Sequence, residues 1–169
     1  GAAQFLSERV DTCIVNAGDG THEHPTQALL DAFSLEEQLG DLRGKRVTIV
    51  GDIRHSRVAL SNIYALQLLG AEVQLCGPKS LIPKHVNSLG VSVETHIIKA
   101  LKSSDAVNML RVQHERMELS YFPSTREYAQ LYGLTLDKLQ TIKKELVILH
   151  PGPINRGVEI TSEVADSDQ

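Results

Sequence analysis

Four short stretches of this chain carry more nitrogen and oxygen than packing requires. "GDIRHSR" (51–57) gathers Arg54, His55 and Arg57, "RVQHER" (111–116) gathers Arg111, Gln113 and Arg116, and "HPGPINRG" (150–157) is a proline–glycine loop. The fourth, "HEHPTQALLDAF" (22–33), crowds His24, Pro25, Thr26 and Gln27 into the opening of a helix-forming run. Guanidinium groups grip carboxylate and phosphate oxygens bidentately. Proline has no backbone donor, so carbonyls around Pro151, Gly152 and Pro153 can stay free to accept. A helix N-terminus, with unpaired N–H groups and the positive end of the dipole, favours an anion. Acting together, these residues would hold a ligand with several acidic oxygens. Each also has a plainer use: His24 as a helix cap, and any one arginine as a surface charge or weak ion pair.

For the four stretches to meet, the elements between them must bring them to one edge. The chain alternates short β-rich runs with helical ones, the mark of βαβ units and a parallel sheet. "RVTIVGD" (46–52), "EVQLCG" (72–77), "VSVET" (91–95), "AVNMLR" (106–111) and "LVILH" (146–150) read as strands. Pro25 suits a first helical position, Leu29, Ala32 and Phe33 fall at helical spacing, and Gly40 is a stop. "RVALSNIYALQLLG" (57–70) reads as a helix with Ala59, Ile63 and Leu66 on one face and Gly70 as its stop. Pro83 opens a helix ending near Leu89, a short helix comes next at 97–103, and another spans about 135–144. Ser124 and Glu127 have capping-box spacing ahead of "YAQLYG". Residues 112–123 read as a long polar loop, of the kind that is often functional. The expected fold is α/β, a doubly wound parallel sheet flanked by helices, Rossmann-like. In such sheets ligands bind beyond the carboxyl ends of the strands, where three of the four stretches fall.

Composition removes several classes of function. A chain of 169 residues makes one domain with at most a small appendage. A net charge of −4, no Lys/Arg run beyond a pair, and the absence of Trp argue against nucleic acid as a partner. No apolar run reaches membrane-spanning length and no signal-peptide architecture is present. Cys13 and Cys76 lie in apolar, strand-like runs and read as buried free thiols of a reducing compartment, with a bridge between them left open. His22, His55, His85, His96 and His114 share no metal-ligand spacing, so no metal is assigned. "GDIRHSR" lacks the glycine pattern of a dinucleotide site, and neither a nucleophile elbow nor a Walker loop occurs. The chain opens without Met on "GAAQFLSERVD", which looks like the tail of a helix and suggests a fragment. From spacing alone the reading is an anion-binding α/β domain.

The four blocks also carry a resemblance. "NAGDGTHEHPTQALLDAF" resembles the signature of aspartate carbamoyltransferases, and "GDIRHSRVALSN", "MLRVQHER" and "HPGPINRGVEI" are similar to three further blocks of that family, in order. The chain resembles the aspartate-binding half of the bacterial-type catalytic chain. The resemblance implies an enzyme that moves a carbamoyl group from carbamoyl phosphate to L-aspartate, giving N-carbamoyl-L-aspartate and phosphate for pyrimidine synthesis. It implies that His24 donates a hydrogen bond to the carbamoyl oxygen and that Gln27 holds the carbamoyl amide. Gly152 and Pro153 would face the carbamoyl amine with their carbonyls. Arg57 and Arg111 would clamp the aspartate carboxylates, Gln113 would support the aspartate, and Arg116 would brace a mobile loop behind them.

No cofactor or metal is implied, since orientation and electrostatic stabilisation suffice. The implied partners are a missing N-terminal carbamoyl-phosphate domain and a C-terminal helix, in a cytoplasmic homotrimer to which a regulatory or dihydroorotase chain can attach. On this reading residues 1–21 are the end of an interdomain helix and an entry strand, and 22–169 are the aspartate-binding domain. Two alternatives stand beside it: a non-catalytic relative serving as subunit or scaffold, and a transferase for another amino acid. The ornithine enzymes typically have Cys where Thr26 stands, and two arginines favour a dicarboxylic acceptor.

Overall fold

The β-rich runs become five strands, β1 (Arg46–Val50), β2 (Glu72–Cys76), β3 (Ser92–Glu94), β4 (Ala106–Met109) and β5 (Val147–Leu149). The computed structural model describes residues 1–112, 124–142 and 145–167. All four strand pairs are parallel, in the order β3-β2-β1-β4-β5. The chain thus winds outward from β1 to β3 and then restarts on the other side of β1 with β4. That reversal leaves a crevice at the carboxyl ends of β1 and β4. Val47 stands opposite Ala106, and Val50 opposite Met109.

Both faces of the sheet are covered, which is why its strands read as nearly continuous apolar runs. Val47 and Ile49 of β1, Val73 and Leu75 of β2 and Ala106 of β4 enter one core cluster. Val50, Cys76, Val107 and Met109 enter the other, as the two-residue period demands. Helices α2 (Pro25–Leu39) and α3 (Arg57–Leu68) supply Leu35, Ala59, Ile63 and Leu66 to the first. Helices α4 (Ile97–Ser103), α5 (Thr125–Tyr132), α6 (Leu136–Ile142) and α7 (Ser162–Ala165) cover the second, with Tyr128 and Tyr132 stacked at 5.6 Å between ring centroids. Among the described residues no helix is long and apolar enough to cross a membrane.

Local signals act as expected at most helix ends. His24 caps α2, Pro25 opens it, and Gly40 closes it at φ +71°, a conformation that costs a glycine least. Ser124 accepts a hydrogen bond from the Glu127 N–H at 3.2 Å, and Ser56 accepts one from Ala59 at the start of α3.

Four expectations need correction. The apolar stripe of α2 is turned by one position: Ala28, Asp31, Ala32 and Leu35 are buried, while Leu29 and Phe33 stand 67 % and 59 % exposed. Cys13 is exposed and only Cys76 is buried; both are free thiols. The run around Cys13 forms no strand, since none of the described residues pairs with it along a ladder, and the preceding helix α1 (Ala2–Ser7) buries none of its residues. The helix expected from Pro83 shrinks to a single 3₁₀ turn over Val86–Leu89. Of the long loop at 112–123, residues 113–123 lie outside the described residues.

Candidate active site

His24, Gln27, Arg57, Arg111, Gly152 and Pro153 all line one cleft of about 250 Å³. Ser56, Val58, Leu110 and Pro151 complete it, so no carboxylate is among the described lining residues. Each comes from the carboxyl-end edge of the sheet. Arg111 comes just after β4, residues 151–153 just after β5, Arg57 begins α3 after β1, and His24 and Gln27 begin α2. Two helix N-termini therefore converge on a site that already holds two guanidinium groups. Gln113 and Arg116 lie outside the described residues. Arg54 and His55 do not join the cleft; His55 Nδ1 instead meets Asp52 Oδ2 at 2.9 Å. Roomier grooves of about 720 and 710 Å³ lie elsewhere and contain none of these groups.

The cap and the site turn out to be two uses of one histidine. His24 Nδ1 accepts a long hydrogen bond from the Gln27 N–H at 3.4 Å, and the His24 N–H donates to Ser61 Oγ at 2.9 Å. An Nδ1 that accepts leaves Nε2 to carry the proton, so the neutral ring is a donor. Burial, together with the nearby charge of Arg57, holds His24 below the ordinary 6.5, with Asp31 opposing them. The ring is therefore neutral at physiological pH.

Arg57 lies over the turn at Gly18–Gly20 and donates from Nη1 to the Gly20 carbonyl at 3.2 Å. Gly18 has φ +113°, and a Cβ there would come within 2.7 Å of the guanidinium carbon, so the arginine's resting place requires glycine. Arg111 is held in place through its neighbour in the chain. The Val112 N–H donates to Glu159 Oε1 at 2.7 Å, and Glu159 Oε2 accepts from the Asn155 N–H at 3.0 Å. Asn155 Nδ2 reaches back to the Val112 carbonyl at 2.9 Å. One fully buried carboxylate thus ties the segment after β4 to the 151–156 loop, fixing two walls of the cleft relative to each other. Burial pushes the Glu159 carboxyl up, but the His150 ring 3.9 Å away and the hydrogen bonds from Val112 and Asn155 prevail and hold it below the ordinary 4.5.

Sequence reasoning missed Glu159, Asn155, Ser61, Asp31, Asn62 and Asn108. Asn108 alone offered a signal, as a polar residue inside an otherwise apolar strand. Among the described residues no group of three His, Cys, Asp or Glu side chains could hold a metal.

The model of the "Aspartate/ornithine carbamoyltransferase, Asp/Orn binding domain" family matches residues 43–169. The chain belongs to that family. It is 68 % identical over 168 residues to the aspartate carbamoyltransferase catalytic subunit of Flavobacterium johnsoniae, covering 99 % of this chain and 54 % of that protein. The catalytic subunit of M. jannaschii aspartate transcarbamoylase superposes with a TM-score of 0.81 at 29 % identity, over 100 % of this chain and 56 % of that one. Ornithine carbamoyltransferase from Pyrococcus furiosus shares the fold, with a TM-score of 0.79 at 24 % identity over 98 % of this chain and 55 % of that one. This chain spans about half the length of the curated relatives it matches. His24 and Gln27 precede the stretch that the family model covers, yet they line the same cleft as Arg57 and Arg111 within it.

Proposed function

We propose that this chain is the aspartate-binding half of an aspartate carbamoyltransferase. The complete enzyme would join the amine nitrogen of L-aspartate to the carbonyl carbon of carbamoyl phosphate and break that carbon's bond to the phosphate oxygen. The products would be N-carbamoyl-L-aspartate and phosphate. The observation that carries the reading is one cleft in which a neutral histidine, an amide, two guanidinium groups and a proline–glycine turn converge with no acid among the described lining residues. His24 Nε2–H would donate to the carbamoyl oxygen, where negative charge grows as the nitrogen attacks. Gln27 and the carbonyls of Gly152 and Pro153 would hold the carbamoyl NH2. Arg57 and Arg111 would each take a carboxylate of aspartate, with Gln113 supporting it and Arg116 behind them. The chemistry so written rests on orientation and on preorganised donors, and it calls for no metal or cofactor.

Aspartate is favoured over a cationic acceptor such as ornithine because the cleft offers two positive side chains and, among the described residues, no lining carboxylate. Residues 1–21 would belong with the other half, as an interdomain helix and its entry strand. Consistent with this, α1 buries nothing and Cys13 stands exposed, both awaiting a neighbour. The same reading makes the complete protein a cytoplasmic homotrimer that can take a regulatory or dihydroorotase partner. The test is an assay of the full-length protein with carbamoyl phosphate and either aspartate or ornithine, with and without a chelator. N-Carbamoylaspartate formation that the chelator leaves unchanged is expected. Carbamoylation of ornithine instead, or of neither amino acid, would overturn the reading.

A further inference from the structure

Beneath the cleft, one carboxylate collects three amides. Asp31, 4 % exposed, accepts from Gln27 Nε2 on Oδ1 at 2.8 Å. Its Oδ2 accepts from Asn62 Nδ2 at 2.7 Å and from Asn108 Nδ2 at 2.9 Å. These donors come from α2, α3 and β4, the elements that His24 caps, Arg57 begins and Arg111 closely follows. Among the described residues no cation lies within ion-pair distance of Asp31.

The arrangement has a visible cost. Asn62 Oδ1 and Asn108 Oδ1 are buried and find no hydrogen-bond partner among the described residues. Turning either amide over would aim its oxygen at the carboxylate. Two orphaned acceptors are therefore tolerated so that Asp31 receives only N–H groups. A buried charge held by neutral amides is a poor device for holding helices together, since apolar side chains would do so without desolvation.

The consequence falls on Gln27. An ionised carboxylate can only accept, so the Gln27 amide must turn its NH2 toward Asp31. Oε1 is then the amide atom left for the cleft that Gln27 lines. We propose that Asp31 is the positioning residue of this site: by taking the Gln27 NH2 it presents Gln27 Oε1 to the ligand, so that position 27 accepts an N–H and discriminates against ligands that lack one. The proposal rests on the carbamoyl-transfer reading and assigns recognition of the donor's NH2 end to the Gln27–Asp31 pair.

Acetyl phosphate is the probe, because it keeps the phosphate and the carbonyl and replaces the NH2 by a methyl. Competition binding in the full-length enzyme compares it with carbamoyl phosphate. The unaltered enzyme is expected to prefer carbamoyl phosphate, and Gln27→Ala to lower that preference about tenfold, the scale of one buried hydrogen bond. Asp31→Asn should lower it as far, since an amide there offers NH2 as readily as oxygen and no longer forces Gln27. The double variant should fall no further than Gln27→Ala alone, because both changes remove one interaction. A merely structural Asp31 would weaken both ligands together and leave their ratio unchanged, which overturns the proposal. If Gln27→Ala keeps the preference, Gln27 does not read the NH2 end and the proposal falls, while the carbamoyl reading stands on the 151–153 carbonyls. If the unaltered enzyme forms no N-carbamoylaspartate, the carbamoyl reading falls and takes the proposal with it. Should Asp31→Asn fail to fold, side-chain amide exchange in the unaltered enzyme decides: a Gln27 NH2 protected from solvent supports the pair, and free exchange overturns it.

Discussion

Arg57 and Arg111 reach the cleft from different elements, and on the proposed reading their pairing selects a ligand with two carboxylates. In the full-length enzyme Arg111→Ala should weaken a dicarboxylate such as succinate by about 2–5 kcal/mol, the cost of leaving a desolvated carboxylate without its partner. Phosphate should be far less affected. Arg111→Lys should fail as well, because an ammonium cannot reproduce the planar fork. Calorimetry showing equal succinate affinity in variant and unaltered enzyme would remove Arg111 from the acceptor site. His24 invites a different measurement. As a donor to a growing oxyanion, its replacement by Ala should lower kcat roughly 10²–10³-fold while carbamoyl phosphate binding changes little. Burial and the charge of Arg57 hold its pKa below the ordinary 6.5, so the neutral ring, with Nε2 as donor, still predominates at pH 6.5. An NMR titration placing the His24 midpoint at or above 6.5 would contradict that arrangement.

At the scale of elements, the cleft depends on strand ends that are held to one another by buried polar atoms. Glu159 accepts from Val112 and Asn155 and so couples the exit of β4 to the loop after β5. Replacing it by Gln aims an NH2 at groups that are themselves donors. Glu159→Gln should therefore cost about 1–3 kcal/mol for each donor left without an acceptor. The pH dependence has a definite sign. Because the folded carboxyl titrates below 4.5, Glu159 favours the fold above the unfolded value and loses that contribution as pH falls through the lower, folded one. Urea unfolding at neutral pH and below 4.5 should show the variant's deficit shrinking in acid; a constant deficit would mean that the charge is irrelevant.

At the scale of the molecule, the proposed reading makes the cleft at the ends of β1 and β4 one side of a larger site. The 169-residue chain by itself should form no N-carbamoylaspartate above background, since the proposed roles of His24, Gln27 and the 151–153 turn reach only the carbamoyl end of the donor. Water filling an open cleft also weakens both orientation and electrostatic stabilisation. Adding the separately expressed other half should restore some turnover, and activity in the chain alone would show that the active site is misplaced. Leu29, Leu30 and Phe33 stand together and exposed on α2, so the isolated chain should also self-associate, which light scattering over a concentration series will report.

What the sequence by itself determined is local in origin. Apolar runs ending in turns located the five strands, helix caps at His24 and Ser124 came from side-chain chemistry, and the polar residues clustered just past the strand ends. A parallel sheet puts those ends on one edge, so the composition of the cleft was legible before its shape. Tertiary structure alone decided the rest. The face that α2 buries depends on which neighbour it meets, and that turned its stripe from Leu29 and Phe33 to Ala28 and Leu35. The run at Cys13 has every propensity of a strand and forms none, because a strand is completed by a partner and not by its own residues. Beyond one four-residue step in each, from Gln27 to Asp31 and from Asn155 to Glu159, the two knots join groups 31 to 77 and 43 to 47 positions apart, distances over which no periodicity speaks. A buried carboxylate acquires its role only from the donors that folding brings to it.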